Sequence, residues 1–501
     1  MDLCNNRLSK QSTENFSGLA EPFAKLRRRM GVIMSTRLVF ASAILAPLLA
    51  PALCAQSVQK PQLWLTTADR SALLARQSQP LQFAAPQAQL PAVTVNDMQQ
   101  FQPIEGFGFA LTGGSAQLLM RMTPTRRHAL LEQVFSTHGD GIGVSYLRVT
   151  IGSSDMNDHV YSYDDLPAGE TDPGMAHFSL APDRQYVIPA LQQILAINSK
   201  IRILASPWSA PPWMKTNGAV KDGHLKPEYY PAYARYFVKY IQGMRAQGIP
   251  ITAITVQNEP LNPKNTPSMV MFADEEDAFI GKDLGPAFAK AGIKTEILLY
   301  DHNPDVTSYA LSILADPTAS PYVAGTAFHL YGGSVDALSK VHHAYPNKRL
   351  YLTEQSVTER YNPHAIGIAD PVSQVLIGAT RHWSRNVLLW NLAADPQAGP
   401  HTSNGGCTSC FGAITLDGDT ATFNVAYYAV AHLSRFVPPG SVRIGSTQLE
   451  QLPTAAFLTP TGSVVLVTTN TGNFPQTFQI QYHGQSLVTT LQPGSAATYV
   501  W

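Results

Sequence analysis

Apolar and polar positions along this chain follow two rhythms in succession. Between residues 106 and 393, short apolar runs alternate with stretches whose apolar residues recur at helical spacing. The runs lie at 106–111, 144–151, 201–205, 251–256, 295–300, 323–330, 349–353 and 386–392. Over residues 227–246, Tyr233, Tyr236, Phe237, Tyr240 and Ile241 stand at the spacing that lines one face of a helix. Strands alternating with helices imply a parallel sheet, and eight such units imply a (β/α)8 TIM barrel. From residue 435 the rhythm changes to short alternating runs with turn residues between them, as at 463–468, 477–481 and 496–501, which predicts a β-sandwich.

The segment 62–101 precedes the barrel and contains LWLTT and AVTV. Because chain termini often meet, it is expected to supply strands to the same sandwich. The predicted fold is therefore α/β: a barrel over 102–434 with an appended β-sandwich built from both chain ends, 62–101 and 435–501. Residues 1–55 read as an N-terminal extension and export leader. After Met34 come Ser35, Thr36 and Arg37, then an apolar run to Leu53 broken by Pro47 and Pro51, then Cys54, Ala55 and Gln56. A positive start, an apolar core and small residues before a polar stretch describe a secretory signal, with cleavage near Ala55. The run is too short and too proline-broken for a membrane span, so none is expected in the mature chain, which would be secreted or periplasmic.

Composition narrows the chemistry. Lys plus Arg and Asp plus Glu are 35 each, for a formal net charge of zero, so nothing calls for nucleic acid or an anionic membrane. A neutral partner fits better. Past the leader only Cys407 and Cys410 remain, in the glycine-rich run HTSNGGCTSC. No second CxxC or suitable histidine pair completes a zinc sphere, and in an exported protein the pair reads as a local disulfide. No HxH or HExxH spacing supports a metal site, and no cofactor is expected.

Polar and aromatic residues gather where the predicted strands end: Asp155, Trp208, Asn258 with Glu259, Asp301 with His302, His329 with Tyr331, Glu354, and Trp390 with Asn391. Barrel enzymes place their sites on that face. Two segments, TVQNEP and YLTEQS, run an apolar stretch straight into Glu259 and Glu354, 95 positions apart and so about three βα units. Strands three places apart in an eight-strand barrel can face each other across its mouth. Paired carboxylates so placed are the minimum needed to cut a glycosidic bond. A solvated glutamate is the competing reading for each. It suits Glu359, in the following loop or helix, better than Glu354 with its apolar Leu350, Tyr351 and Leu352 lead-in.

Those two segments, together with YLRVTIGSSD, LASPWSAPPWMKTNG, AFHLYGG, LLWNLA and FVPPGSVRI, resemble glycoside hydrolase family 30, and within it the glucosylceramidase-like branch. The resemblance runs in order from about residue 62 to the final ATYVW. It implies a retaining β-glycosidase acting on a β-linked glycoside or glycan, with Glu259 as acid/base and Glu354 as nucleophile. By the same resemblance Asn258 holds the sugar 2-hydroxyl, Arg148 sits beside the nucleophile, Trp208 and Trp390 line the first sugar subsite, and His329 and Tyr331 lie near the nucleophile. Trp213 and Asn217 in the strand-three loop are candidates for shaping the entrance. A departure from the family pattern is the run GFGFALTGG, where Gly113 stands for the usual aspartate and Phe109 for a glycine. The grip on distant sugar hydroxyls is expected to change accordingly. Glucosylceramide is the first substrate expected, with β-1,6-glucan and xylose- or fucose-containing glycans as alternatives. A non-catalytic carbohydrate-binding protein is the alternative of a different class. Oligomeric state is not legible.

Overall fold

The computed structural model describes residues 60–357 and 367–501. The leader reading over 1–55 and the position of Glu359 lie outside the described residues.

Eight strands form the closed barrel: β1 Gly106–Leu111, β2 Tyr146–Ile151, β3 Arg202–Pro207, β4 Ala253–Thr255, β5 Glu296–His302, β6 Val323–His329, β7 Arg349–Glu354 and β8 Ser384–Leu389. Neighbours in sequence pair in parallel, and β8 returns to β1 through Asn386–Gly106 to Leu389–Phe109. Every residue of β1 and β2 is buried, because one face fills the barrel and the other meets helices. The approach of β1 to β2 is close enough that a Cβ at Gly108 would overlap the Tyr146 carbonyl, so only glycine fits there.

A layer of Tyr146, Leu204, Ala253, Leu298, Ala327, Tyr351 and Leu388 packs inside the barrel. Below it Glu105 draws in Arg202 at 3.2 Å and Arg349 and Arg385 at 3.5 Å, and accepts the Tyr351 hydroxyl at 3.1 Å. Apolar filling and this ionic plug close the lower end, so the C-terminal strand ends form the open face. The helix Tyr230–Ala246 covers the outside with Tyr233, Tyr236, Phe237, Tyr240 and Ile241, the face that the spacing predicts.

The second layer of the molecule is a nine-stranded sheet system. Ala92–Pro103 lies between Val442–Ser446 and Gln476–Tyr482, and Gln62–Thr66 pairs with Ala496–Val500, so both chain ends contribute. Val464–Thr469 is buried throughout rather than alternately. Val464 and Leu466 enter the sandwich core, while Val465 and Val467 enter the barrel's outer core. A two-faced burial of this kind erases the period-two signal.

One feature is absent from the sequence reading. After β8, Ala393–Ala394 pairs with Ile414–Asp417, which turns at Asp417–Gly418 into Thr420–Phe423. This small sheet holds the base of the segment 395–413, which carries Cys407 and Cys410.

Candidate active site

The strand ends bring the polar residues together under backbone constraint. Glu259, Tyr300 and Asp301 have φ of 46°, 77° and 55°, in the left-handed region that residues with a Cβ seldom occupy. Each such residue costs on the order of 1–3 kcal/mol and persists only where its surroundings dictate it. Here the Glu259 N–H donates to the Asp301 carbonyl at 3.0 Å, and the Asn258 N–H to the Pro207 carbonyl at 2.8 Å. These bonds tie the ends of β3, β4 and β5 to one another.

Arg148, projecting from β2, is the hub. It is 1% exposed and donates to Glu354 at 2.5 Å, Asp301 at 2.6 Å, Asn258 Oδ1 at 2.7 Å and Ser206 at 3.2 Å. Asp301 is saturated: Arg148 and Thr255 donate to one oxygen, Thr353 and the His329 ring to the other. Burial would raise its pKa, but the Arg148 charge and the His329 bond hold it well below the usual carboxylate range. Glu354 also accepts the Tyr331 hydroxyl at 2.9 Å. Burial raises Glu354 above its ordinary value, with His329 and Arg148 limiting the rise.

Glu259 and Glu354 share one imidazole. His329 Nδ1 lies 3.1 Å from Glu259 Oε1 and 3.8 Å from Glu354 Oε1, which caps the separation of those oxygens at about 7 Å. Burial would discharge His329, but the Glu354 charge and the bonds to Asp301 and Glu259 push its pKa up to about 10. Glu259 moves the other way. Burial is outweighed by the bond and charge of His329 and by Asn262, which bring it down to about 2. A proton held between these groups belongs to the cluster rather than to one residue.

Above the cluster opens a cavity of about 590 Å³, within the range of small-molecule sites. Asp155, Trp208, Glu259, Tyr331, Glu354 and Trp390 line its inner part. Trp208 and Trp390 stand 5.4 Å apart between centroids, and Arg148 lies under the Trp208 ring at 4.8 Å. Cys407 and Cys410 are disulfide-bonded and pack on the two tryptophans, forming part of the wall.

Asp155 is the residue whose role sequence reasoning missed. Burial, then the charges of Glu354 and Glu259, raise it to about 8. A carboxyl with a raised folded pKa stabilises the fold below its unfolded value, near 4, and loses that contribution as pH rises towards 8. Asp155→Asn is therefore expected to raise Tm by several degrees at pH 8 and little at pH 4.5; equal shifts at both values, read by scanning calorimetry, would contradict the assignment.

Gly113 opens the helix Gly113–Arg121, where a Cβ would overlap the Asn157 amide. Asp155, just past the end of β2, presents a third carboxyl to the cavity beside Glu259 and Glu354. Trp213 and Asn217 stand elsewhere. Trp213 packs edge-on against Tyr229 and donates to the Asp164 carbonyl, and Asn217 bonds the Lys221 carbonyl. Neither lines the cavity. Arg148 and His329 lie beneath the floor, Asn258 sits at its edge with 4% of its surface exposed, and Trp208, Trp390, Tyr331 and both glutamates reach the cavity.

Among the described residues, two groups present ligand atoms close enough for a metal ion: Glu259, His302 and His329, and Asp164, Asp172 and His177. In the first, both ring nitrogens of His329 already face carboxylates and Glu259 is taken by amide donors. In the second, Asp172 accepts the His177 N–H and ring.

The family model for the Glycosyl hydrolase family 30 TIM-barrel domain matches residues 104–437, and that for the family's beta sandwich domain matches 440–499. An endo-1,6-beta-D-glucanase of Trichoderma harzianum is 36% identical over 74% of this chain and 78% of its own. The lysosomal acid glucosylceramidase of Mus musculus is 30% identical over 82% and 83%. Among solved structures, an endo-beta1,6-glucanase superposes with a TM-score of 0.82 at 34% identity, covering 88% of this chain and 99% of that one.

Proposed function

Because the chain belongs to glycosyl hydrolase family 30, we propose that this glycoside hydrolase cuts β-1,6-linked glucan at internal bonds and with retained anomeric configuration. The carrying observation is the pair of carboxylates on one imidazole. Their separation of at most about 7 Å admits the gap of about 5–5.5 Å needed for direct attack by one of them and leaves out most of the range of about 6.5–9.5 Å that accommodates an attacking water.

In this reading Glu354 attacks the anomeric carbon while Glu259 passes on to the departing glycosidic oxygen the proton that it shares with His329 Nδ1, 3.1 Å from its Oε1. An ester to Glu354 forms as the C–O bond breaks. Glu259 then takes a proton from water, the water oxygen bonds to the anomeric carbon, and Glu354 leaves. Arg148 and Tyr331 orient Glu354 for attack. Asn258, its Oδ1 taken by Arg148, leaves its amide N–H groups for the sugar 2-hydroxyl, a bond that strengthens as positive charge develops. Trp208 and Trp390 give the inner part of the cavity an aromatic wall for the apolar side of the sugar.

The substrate choice rests on similarity to the glucanases and on the far side of the cavity. Beyond Glu259 the lining is Asn262, Lys264, Asn265, Asn303 and Ser409, with Leu261 and Pro263 as its aliphatic members. Such a wall fits a sugar aglycone better than the acyl chains of glucosylceramide, which becomes the second reading, supported by the mouse relative. The leader-like run that ends near Ala55, together with the disulfide, supports a reaction outside the cytoplasm.

Digestion of a long β-1,6-glucan is expected to release a ladder of oligosaccharides early, each first seen by proton NMR as the β-anomer. First-formed α-anomer would overturn retention, glucose alone would overturn internal cleavage, and faster turnover of glucosylceramide would reverse the substrate order.

A further inference from the structure

Glu259 is approached by more hydrogen-bond donors than its own strand end supplies. Asn262 Nδ2 donates to Oε2 at 2.7 Å and Asn265 Nδ2 donates to the same oxygen at 3.1 Å, while the His329 ring faces Oε1. The orientation of the first amide is fixed independently. Asn262 Oδ1 accepts the Lys264 N–H at 3.0 Å, which leaves its NH2 end facing Glu259. The Asn262 N–H also donates to the Glu259 carbonyl at 2.8 Å, so the segment folds back on the residue it serves.

The loop is itself held. Lys215, buried, donates to the Ser268 carbonyl at 2.7 Å, Ser268 bonds the Pro263 carbonyl, and Thr402 donates to the Thr266 carbonyl at 2.7 Å. The Thr266 hydroxyl donates to the Asn404 carbonyl in return. The loops after β4 and β8 thus brace one another, and the two asparagines are not free to swing away.

We propose that Asn262 and Asn265 are positioning residues that clamp Glu259 Oε2 in its ionised, outward-turned form, and so set the pH range and the leaving groups this site accepts. The inference rests on Glu259 being the acid/base.

The physical reason is that an amide N–H stabilises a carboxylate more than a carboxylic acid. Two amides on one oxygen make Glu259 a stronger acid in the leaving-group step and direct its remaining proton position to Oε1. A strong acid matters most where departure needs full protonation, as for the alcohol oxygen of a sugar. It matters least for a phenolate that leaves unaided. The same bonds lower the pH at which the acid form is exhausted. Other groups around Glu259 act with or against the clamp: His329 and His302 on the β5 and β6 side, Glu354 and Asp155 across the cavity, Asp301 and Arg148 beneath, and Lys264 on the same loop.

The test compares Asn262→Leu, Asn265→Leu and the double variant of the full chain with the parent, on β-1,6-linked gluco-oligosaccharides and on a dinitrophenyl β-glucoside. The basic limb of kcat/KM is expected to move up by about one pH unit in the double variant. Oligosaccharide turnover at acid pH should fall by about threefold to tenfold, with the formation of glycosyl-enzyme from the dinitrophenyl substrate changed less than about twofold. Asn265→Ser, a smaller polar replacement, guards against loss of fold, and a carbon-13 titration of the Glu259 carboxyl reads the same upward shift without turnover. An unmoved limb and titration, or equal losses on both substrates, would overturn the clamp. Glu259→Gln separates the two readings. If it spares oligosaccharide hydrolysis, the acid/base assignment and the clamp fall together; if it abolishes it, the asparagine variants decide the clamp alone.

Discussion

Glu354→Gln is expected to lower hydrolysis of β-1,6-linked oligosaccharides by on the order of 10⁴- to 10⁶-fold, as removal of a covalent nucleophile does elsewhere. Glutamine keeps the size of the side chain and can still meet Arg148 and Tyr331, so the fold and the cavity should persist. What is lost is the anionic oxygen that forms the ester. A Glu354→Gly variant then provides the sharper reading. Azide entering the vacated space should restore turnover of a dinitrophenyl β-glucoside, whose leaving group needs no acid, and should give the α-glycosyl azide. That configuration follows because azide attacks from the side Glu354 occupied, once instead of twice. A β-azide, or a Glu354→Gln enzyme with activity near the parent's, would remove Glu354 from the reaction.

Arg148→Met carries the second large effect, on stability as well as rate. The guanidinium is the counter-ion of two buried carboxylates, Asp301 and Glu354, and removing one partner of such a group costs about 3–5 kcal/mol. The urea midpoint should fall at unchanged m. The sign of its pH dependence is fixed. With Arg148 present, Asp301 has a depressed pKa, and its contribution is held above the ordinary carboxylate range and lost as pH falls. Without Arg148, the two carboxyls should titrate above their unfolded values, and stability should fall as pH rises through that range. Both trends make the difference between parent and variant larger at pH 7 than at pH 4.5. Adding Glu354→Gln to Arg148→Met should cost less than the two single changes together, since the second removes a charge that the first has stranded. Additive losses would mean that Arg148 stabilises by packing on Trp208 alone.

How far the sequence carried depends on which residues carry their own signal. The eight barrel runs were legible because each is largely buried on both faces and therefore mostly apolar, and the helix at 230–246 because one face alone is buried. Glu259 and Glu354 were legible because a charged residue ending an apolar run has few other uses. The sheet at 393–423 was missed although Asp417 and Gly418 mark its turn, since Ala393–Ala394 is too short to show a period. Asp155 was seen only as a polar residue past a strand. Gly113 has the conspicuous motif, but that the Asn157 amide fills the space a side chain would take there is set by another loop. A motif records which residue stands at a position, not which way the chain turns it.

The sequence by itself determined the barrel and the two-ended sandwich, because both follow from burial repeated along the chain, and it put Glu259 and Glu354 at strand ends. Tertiary structure alone decided what surrounds those glutamates. Arg148 reaches Glu354 across 206 positions, Asp301 meets Thr353 across 52, and Asn262 and Asn265 fold back on Glu259 from a loop with no periodic pattern. Whether a carboxyl in such a place is ionised depends on water excluded and on donors brought in from other strands. Those are properties of closure, and no local stretch of sequence contains them.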